Sequence, residues 1–255
     1  MLFCACAAGG CATLAKRPPT PADDISPRQA ASIVAPPSER FFIIVFSSEC
    51  KPVRPKYTHC WATLVKATDS PGPHTCTVEE STISWMPASL ELRPWSFRVE
   101  PGVNLPLRFT IEEMLRNREE IAFWGPYEVG PGFAYRFELH KAFMESGHVG
   151  YQVIDSVGDA GRCGAACNCI HAITDMDPVF DRRRYPLAYF GHSASWNIVR
   201  ELHARPMIIN PDADHAWLLA RLGLDRYPME RRRHLGRTVP YTPENQERYL
   251  RRYER

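Results

Sequence analysis

The earliest stretch that reads as buried structure is RFFIIVFSS (residues 40–48), a continuous apolar, β-rich run of the kind that forms a strand covered on both faces. A Pro-rich loop follows. THCWATLVKA (58–67) and TCTVEESTISWMP (75–87) then flank TDSPGPH (68–74), whose proline and glycine content predicts a turn and therefore a β-hairpin. LELRPWSFRV (90–99) predicts one more strand. The pattern then becomes helical. TIEE from Thr110 has the form of a capping box, opening a helix to about Asn117. GFAYRFELHKAFMES (132–146) places Phe133, Phe137 and Phe143 at helical spacings and stops at Gly147, a C-cap glycine. VGYQVID (149–155) predicts a strand, SVGDAGRCGAACN (156–168) a loop, and Cys169 the start of the next helix. Two later helices are expected in SWNIVRELHA (195–204) and in NPDADHAWLLARLG (210–223), the second with Asn210 as N-cap, Pro211 in its first turn and Gly223 at its end. Strands first and helices later, with one strand feeding a helix, is an α+β order: an antiparallel sheet packed against helices, not a regular βα alternation.

Composition narrows what such a domain does. At 255 residues and 44% hydrophobic content the chain buries a full core. A net charge of +2 provides no field to recruit nucleic acid, so none is expected as a partner. Residues 1–39 read as a signal-like segment and Pro-rich tether, 40–225 as the folded domain, and 226–255 as a basic, solvated C-terminal tail. MLFCACAAGGCATLAKRPPTPADD resembles an export signal in which AAGGC serves as a lipobox and Cys11 as the lipidated residue. That implies membrane attachment through Cys11 and a bacterial envelope or secreted location; without such a signal the chain is cytoplasmic. No run approaches the length of a membrane-spanning helix.

Candidate chemistry centres on CNCIHAITDMD (167–177). Cys163, Cys167, Cys169 and His171 could be a metal knot, a buried structural turn, or a thiol nucleophile with its neighbours. Four ligands so close in sequence can hardly surround one ion tetrahedrally, and no second ligand pair exists elsewhere, so no metal or other cofactor is expected. A cysteine opening a helix has its thiolate favoured by unpaired N–H groups and the helix dipole. Such a thiol also needs a base, and His59, at the start of a hairpin strand, is the candidate. On the second hairpin strand Glu80, Thr82 and Ser84 alternate onto one face, and Glu79, Ser81 and Ile83 onto the other. One of the polar set would orient the imidazole. GHSAS (191–195) lacks the final glycine of a nucleophile elbow, so Ser193 is not favoured, and His192 and His203 read as packing residues. Among Cys50, Cys60, Cys76, Cys163, Cys167 and Cys169, taking one as nucleophile leaves an odd number to pair.

A strand-mounted His, then a hairpin, then a late helix-starting Cys resembles the circularly permuted papain-like thiol hydrolases of the NlpC-like superfamily, in which the base precedes the nucleophile. NCIHAI is similar to the Asn-Cys-Glu-His-Phe signature of the lecithin retinol acyltransferase branch. The resemblance covers about residues 40–180 in order of elements, and its specific part is His59, Asn168, Cys169 and His171. It implies Cys169 as nucleophile and His59 as general base of a cysteine hydrolase or acyltransferase. Such an enzyme acts on an amide, ester or thioester of a peptide or lipid-like acyl substrate through an acyl-enzyme. Ile170 replaces the branch's acidic residue, and neither Ser81 nor Thr82 is the histidine that branch would place there, so the orienting residue is sought among Glu80, Ser84 and Glu79. The oxyanion would meet the Cys169 N–H, with Tyr151 or Gln152 assisting and Asn168 beside them. His171 is expected to be structural. The competing expectation is a noncatalytic binding protein on the same fold, with Cys169 paired to Cys163 or Cys167.

Overall fold

The computed structural model describes residues 20–69, 76–96, 98–155, 165–177, 180 and 189–253. Cys11, Cys163 and most of the hairpin turn therefore lie outside the described residues. In chain order the elements are α1 (Pro27–Ala31), β1 (Glu39–Glu49), β2 (Thr58–Asp69), β3 (Cys76–Ile83), β4 (Trp85–Pro87), β5 (Glu100–Asn104), α2 (Leu107–Arg116) and β6 (Glu120–Val129). They continue with α3 (Pro131–Met144), β7 (Val149–Tyr151), β8 (Ala165–Cys167), α4 (Cys169–Thr174), α5 (His192–His203), β9 (Ile208–Ile209), α6 (Trp217–Arg221), β10 (Met229–Arg232) and α7 (Pro243–Tyr253). The architecture is α+β, with antiparallel-rich sheets packed against helices. Among the described residues no helix is long and apolar enough to cross a membrane.

The main sheet runs β10-β6-β1-β2-β3, with β9 also pairing β6. β1 is central, and Phe42 through Phe46 are buried on both of its faces, as the unbroken apolar run requires. Alternation places His59, Trp61, Thr63 and Val65 on one face of β2 and Cys60, Ala62 and Leu64 on the other. On the His59 face Trp61 stacks on Phe46 at 5.2 Å. On the Cys60 face α5 packs, with His192 Nδ1 2.8 Å from Ser47 Oγ. The register sets Ser48 opposite His59 and Ser47 opposite Cys60. β3 pairs with β2 only from Ala62 (opposite Ile83) onward, so residues 58–61 of β2 have no β3 neighbour. A smaller sheet, β4-β5-β7-β8, adjoins this end.

Several sequence expectations are corrected. The described residues of 90–99 form no strand; the strand lies at 100–104, after Leu90 has taken a left-handed turn (φ 58°) and Pro94 has interrupted the pattern. Thr110 is not an N-cap. The buried Leu107 draws the first turn of α2 earlier, Pro106 is the cap, and Thr110 sits inside the helix. The strand expected over 149–155 ends at Tyr151 because residues 153–155 turn to bring Asp155 against α4. α5 begins at His192, not Ser195, with Gly191 in a left-handed conformation (φ 57°) ahead of it. The helix expected from Asn210 is confined to Trp217–Arg221; Asn210 is left-handed (φ 48°), and His215 packs edge-on against Phe42 at 4.8 Å.

The flanks contribute structure as well. α1, within the expected tether, lies so close to α3 that a Cβ at Gly132 would stand 1.9 Å from Ala30 O. Residues 226–255 are not a solvated tail throughout: β10 bonds in parallel to β6 over Met229–Arg232, and α7 returns to α1 through Glu247 and Arg28.

Candidate active site

His59 is fixed before any other group arrives. It is buried (1% exposed), and its ring lies nearly parallel to Trp61 at 5.5 Å. Nε2 lies 2.8 Å from Ser84 Oγ. Ser84 occupies the bend between β3 and β4, where the chain changes sheets. Its backbone is clamped: Ser84 N donates to Asn104 Oδ1 at 2.7 Å, and Leu105 N donates to Ser84 O at 2.9 Å. Thr110 Oγ1 stands 2.9 Å from Ser84 Oγ. No oxygen or nitrogen of the described residues pairs with the other ring nitrogen, His59 Nδ1.

α4 supplies the sulfur. Asn168 caps the helix, its Oδ1 accepting from Ile170 N at 3.0 Å and His171 N at 2.9 Å. Asp155 secures the cap from behind. It accepts from Asn168 N and Nδ2 at 3.1 and 3.0 Å, and its Oδ2 lies 2.7 Å from His171 Nδ1. His171 and Asp155 are both buried, so the cap is anchored on its inner side by a polar cluster. α4 also meets the central sheet through β2, and His140 Nε2 reaches Ala172 O at 2.9 Å.

Cys169, the first residue of α4, interacts with the side chains of both His59 and Cys60 and with the Cys60 backbone N–H. Since those side chains leave β2 on opposite faces, the sulfur must lie at the strand edge that β3 leaves uncovered. The hydrogen bond from the Cys60 thiol holds the Cys169 thiol well below the usual range, and His59 adds a hydrogen bond and a favourable charge interaction; burial opposes these and is outweighed. Cys60 moves the other way, pushed well above its ordinary value by the same contact with Cys169 and by burial. Both shifts share one cause, the contact between the two sulfurs, which favours the thiolate on Cys169 and the thiol on Cys60. The Cys60 thiol also donates to Gly191 O at 3.4 Å. Both residues are free thiols.

Cys169 opens onto a cleft of about 120 Å³ walled by Leu92, Trp95, Ile154, Tyr189 and Phe190. None of the described residues lining it carries a charge. Tyr151 and Asn168 line it too, and burial holds the Tyr151 hydroxyl well above its usual pKa. Trp95 is 81% exposed at the rim.

Compared with protein-family models, curated proteins and solved structures, the chain has no match.

The arrangement brings together His59, Ser84, Cys169, Asn168 and Tyr151. Glu80 is elsewhere, accepting from Thr82 Oγ1 at 2.8 Å, and Glu79 is exposed on the hairpin. Gln152 is buried, with its N–H donating to Cys167 O at 3.2 Å. Cys167 is buried with its sulfur 3.8 Å from Met144 Sδ. Four participants were missed by sequence reasoning. Cys60 follows the base directly but was read only as a cysteine to be paired. Thr110 was read as a helix cap. Asp155 was placed inside a strand. Glu119 is buried beneath β1, where it accepts from Ser48 Oγ at 2.5 Å and interacts with the His59 charge; burial pushes its carboxyl up. A polar residue opposite His59 in the β1 register, Ser48, was the one available signal for Glu119.

Proposed function

We propose that the chain is a cysteine hydrolase or acyltransferase acting on an amide, ester or thioester through an acyl-enzyme, on a permuted papain-like arrangement. One observation carries this reading: a buried imidazole bonded to Ser84 through one nitrogen, beside a thiol that His59 and Cys60 draw toward its ionised form. Oriented base and activated thiol are the two requirements of nucleophilic catalysis by cysteine.

In the proposed reaction the Cys169 thiolate attacks the carbonyl carbon, and the carbonyl electron pair moves onto oxygen, where the Cys169 N–H would meet it. Collapse returns that pair and breaks the bond to the leaving group, which takes its proton from the His59 imidazolium. Water or a second nucleophile, losing its proton to His59, then attacks the thioester and releases Cys169. Ser84 acts on the orientation of the base. The uncharged aromatic walls of the cleft favour the apolar portion of a peptide or lipid-like acyl substrate.

Alkylation of Cys169 by iodoacetamide as a function of pH, followed by peptide mass spectrometry, tests the pair. The wild type is expected to react well below pH 8, because a lowered thiol pKa keeps thiolate present there. His59→Ala should move that reactivity toward the range of an ordinary thiol, near pH 8.5. A wild-type profile already in that range would refute the assignment.

A further inference from the structure

Ser84 has two tasks at once. In the cycle above, His59 alternates between a neutral ring and an imidazolium. The proton that moves is the one on Nδ1, the nitrogen not bonded to Ser84, so Nε2 carries its proton in both states and Ser84 must accept from it throughout. A buried hydroxyl that accepts in this way must still place its own proton, since an unsatisfied buried donor is costly. Ser84 is fully buried.

Thr110 provides the acceptor. Its Oγ1 stands 2.9 Å from Ser84 Oγ and 3.1 Å from Pro106 O, the carbonyl one helical turn earlier, and its one proton serves only one of them at a time. If Thr110 donated to Ser84, Ser84 would donate to Nε2 and leave the ring proton on Nδ1, which then could not act as base. With the Thr110 proton on Pro106 O, Ser84 donates to Thr110 and its oxygen accepts from Nε2–H. That setting satisfies every hydrogen in the chain from imidazole to helix carbonyl, and it holds whether or not Nδ1 is protonated. Thr110 is fully buried, so water does not compete for either position.

We propose that Thr110 is the positioning residue that lets Ser84 hold His59 in both protonation states. The proposal rests on the cysteine-nucleophile reading and extends it to α2. A threonine there also explains why a polar side chain stands inside the buried face of a helix beside Ile111 and Met114.

The test compares Thr110→Val, which keeps the shape and removes the hydroxyl, with Thr110→Ser, which keeps the hydroxyl. The readout is the pH profile of Cys169 alkylation in the full chain, with near-ultraviolet circular dichroism as the check on folding. Thr110→Val is expected to raise the midpoint by roughly one pH unit, a loss of about tenfold in thiolate on the acid side, while Thr110→Ser keeps the wild-type midpoint. If the valine variant does not fold, Thr110→Ala against Thr110→Ser isolates the hydroxyl in the same way. A wild-type midpoint retained without the hydroxyl overturns the role of Thr110 and leaves the Cys–His pair standing. A serine variant shifted as far as the valine variant overturns it as well, by assigning the effect to packing. A wild type that already titrates near pH 8.5 brings down the nucleophile reading, and this inference with it.

Discussion

At the scale of single residues, the site depends on which neighbour each polar atom selects. Ser84→Ala removes the only described partner of His59 Nε2 while leaving Ser84's backbone clamps in place. Its expected effect is on rate: a loss of about tenfold to a hundredfold in Cys169 alkylation near pH 6, smaller than the effect of a positioned acid–base group itself, with the fold retained by circular dichroism. Cys60→Ala makes a separate point. The Cys60 thiol is the largest influence lowering Cys169, so its removal should move the alkylation midpoint upward, while Cys60→Ser, which still offers a proton, should move it less. His59, Cys169 and Ser84 were legible in the sequence because a strand-mounted histidine, a helix-starting cysteine and a period of two are local patterns. Cys60 was not, because alternation sends it to the opposite face from His59, and only the free strand edge brings both to one sulfur. Thr110 was misread because a threonine followed by Glu113 satisfies the capping pattern equally well; the buried Leu107 decides the helix start, and burial is not local information.

Among the elements, α4 is short and would be marginal without its cap. Asn168→Ala removes two cap bonds and the side-chain contact with Asp155. It should cost about 1–2 kcal/mol, the upper part of the capping range, seen as a lower midpoint in urea unfolding, and should reduce Cys169 reactivity because the sulfur is no longer aimed. The hairpin and the buried central strand were legible from alternation and from an unbroken apolar run. Element ends were not: β7 stops early because Asp155 is required at His171, and the segment before β5 fails as a strand because its proline and left-handed Leu90 break the ladder. The first end is set by a contact across the sequence, the second by local backbone that breaks the expected pattern.

For the molecule as a whole, the C-terminal region belongs to the fold. His203, at the end of α5, stacks on His234 at 4.0 Å, meets Tyr127 edge-on at 4.8 Å and approaches Thr238 Oγ1 at 2.6 Å. Burial, with the neighbouring His234, lowers the His203 pKa from 6.5 to about 3. Between those values the unfolded chain binds the proton and the folded chain does not. The stability His203 allows is therefore complete above about pH 6.5 and declines as pH falls toward about 3. Urea unfolding at a series of pH values should show this slope, and His203→Gln, which cannot take up a proton, should flatten it. The basic composition of residues 226–255 pointed toward solvent, yet β10 completes the sheet; a strand whose pairing partner lies so far back in sequence leaves no local trace. The order of the site along the chain has a consequence for how the protein is made. Leaving the ribosome, His59, Ser84 and Thr110 emerge before Cys169, and β10 emerges after all of them. On the proposed reading, the residues that hold the base are thus synthesised before the sulfur it would activate, and the growing chain lacks that thiol for most of its synthesis.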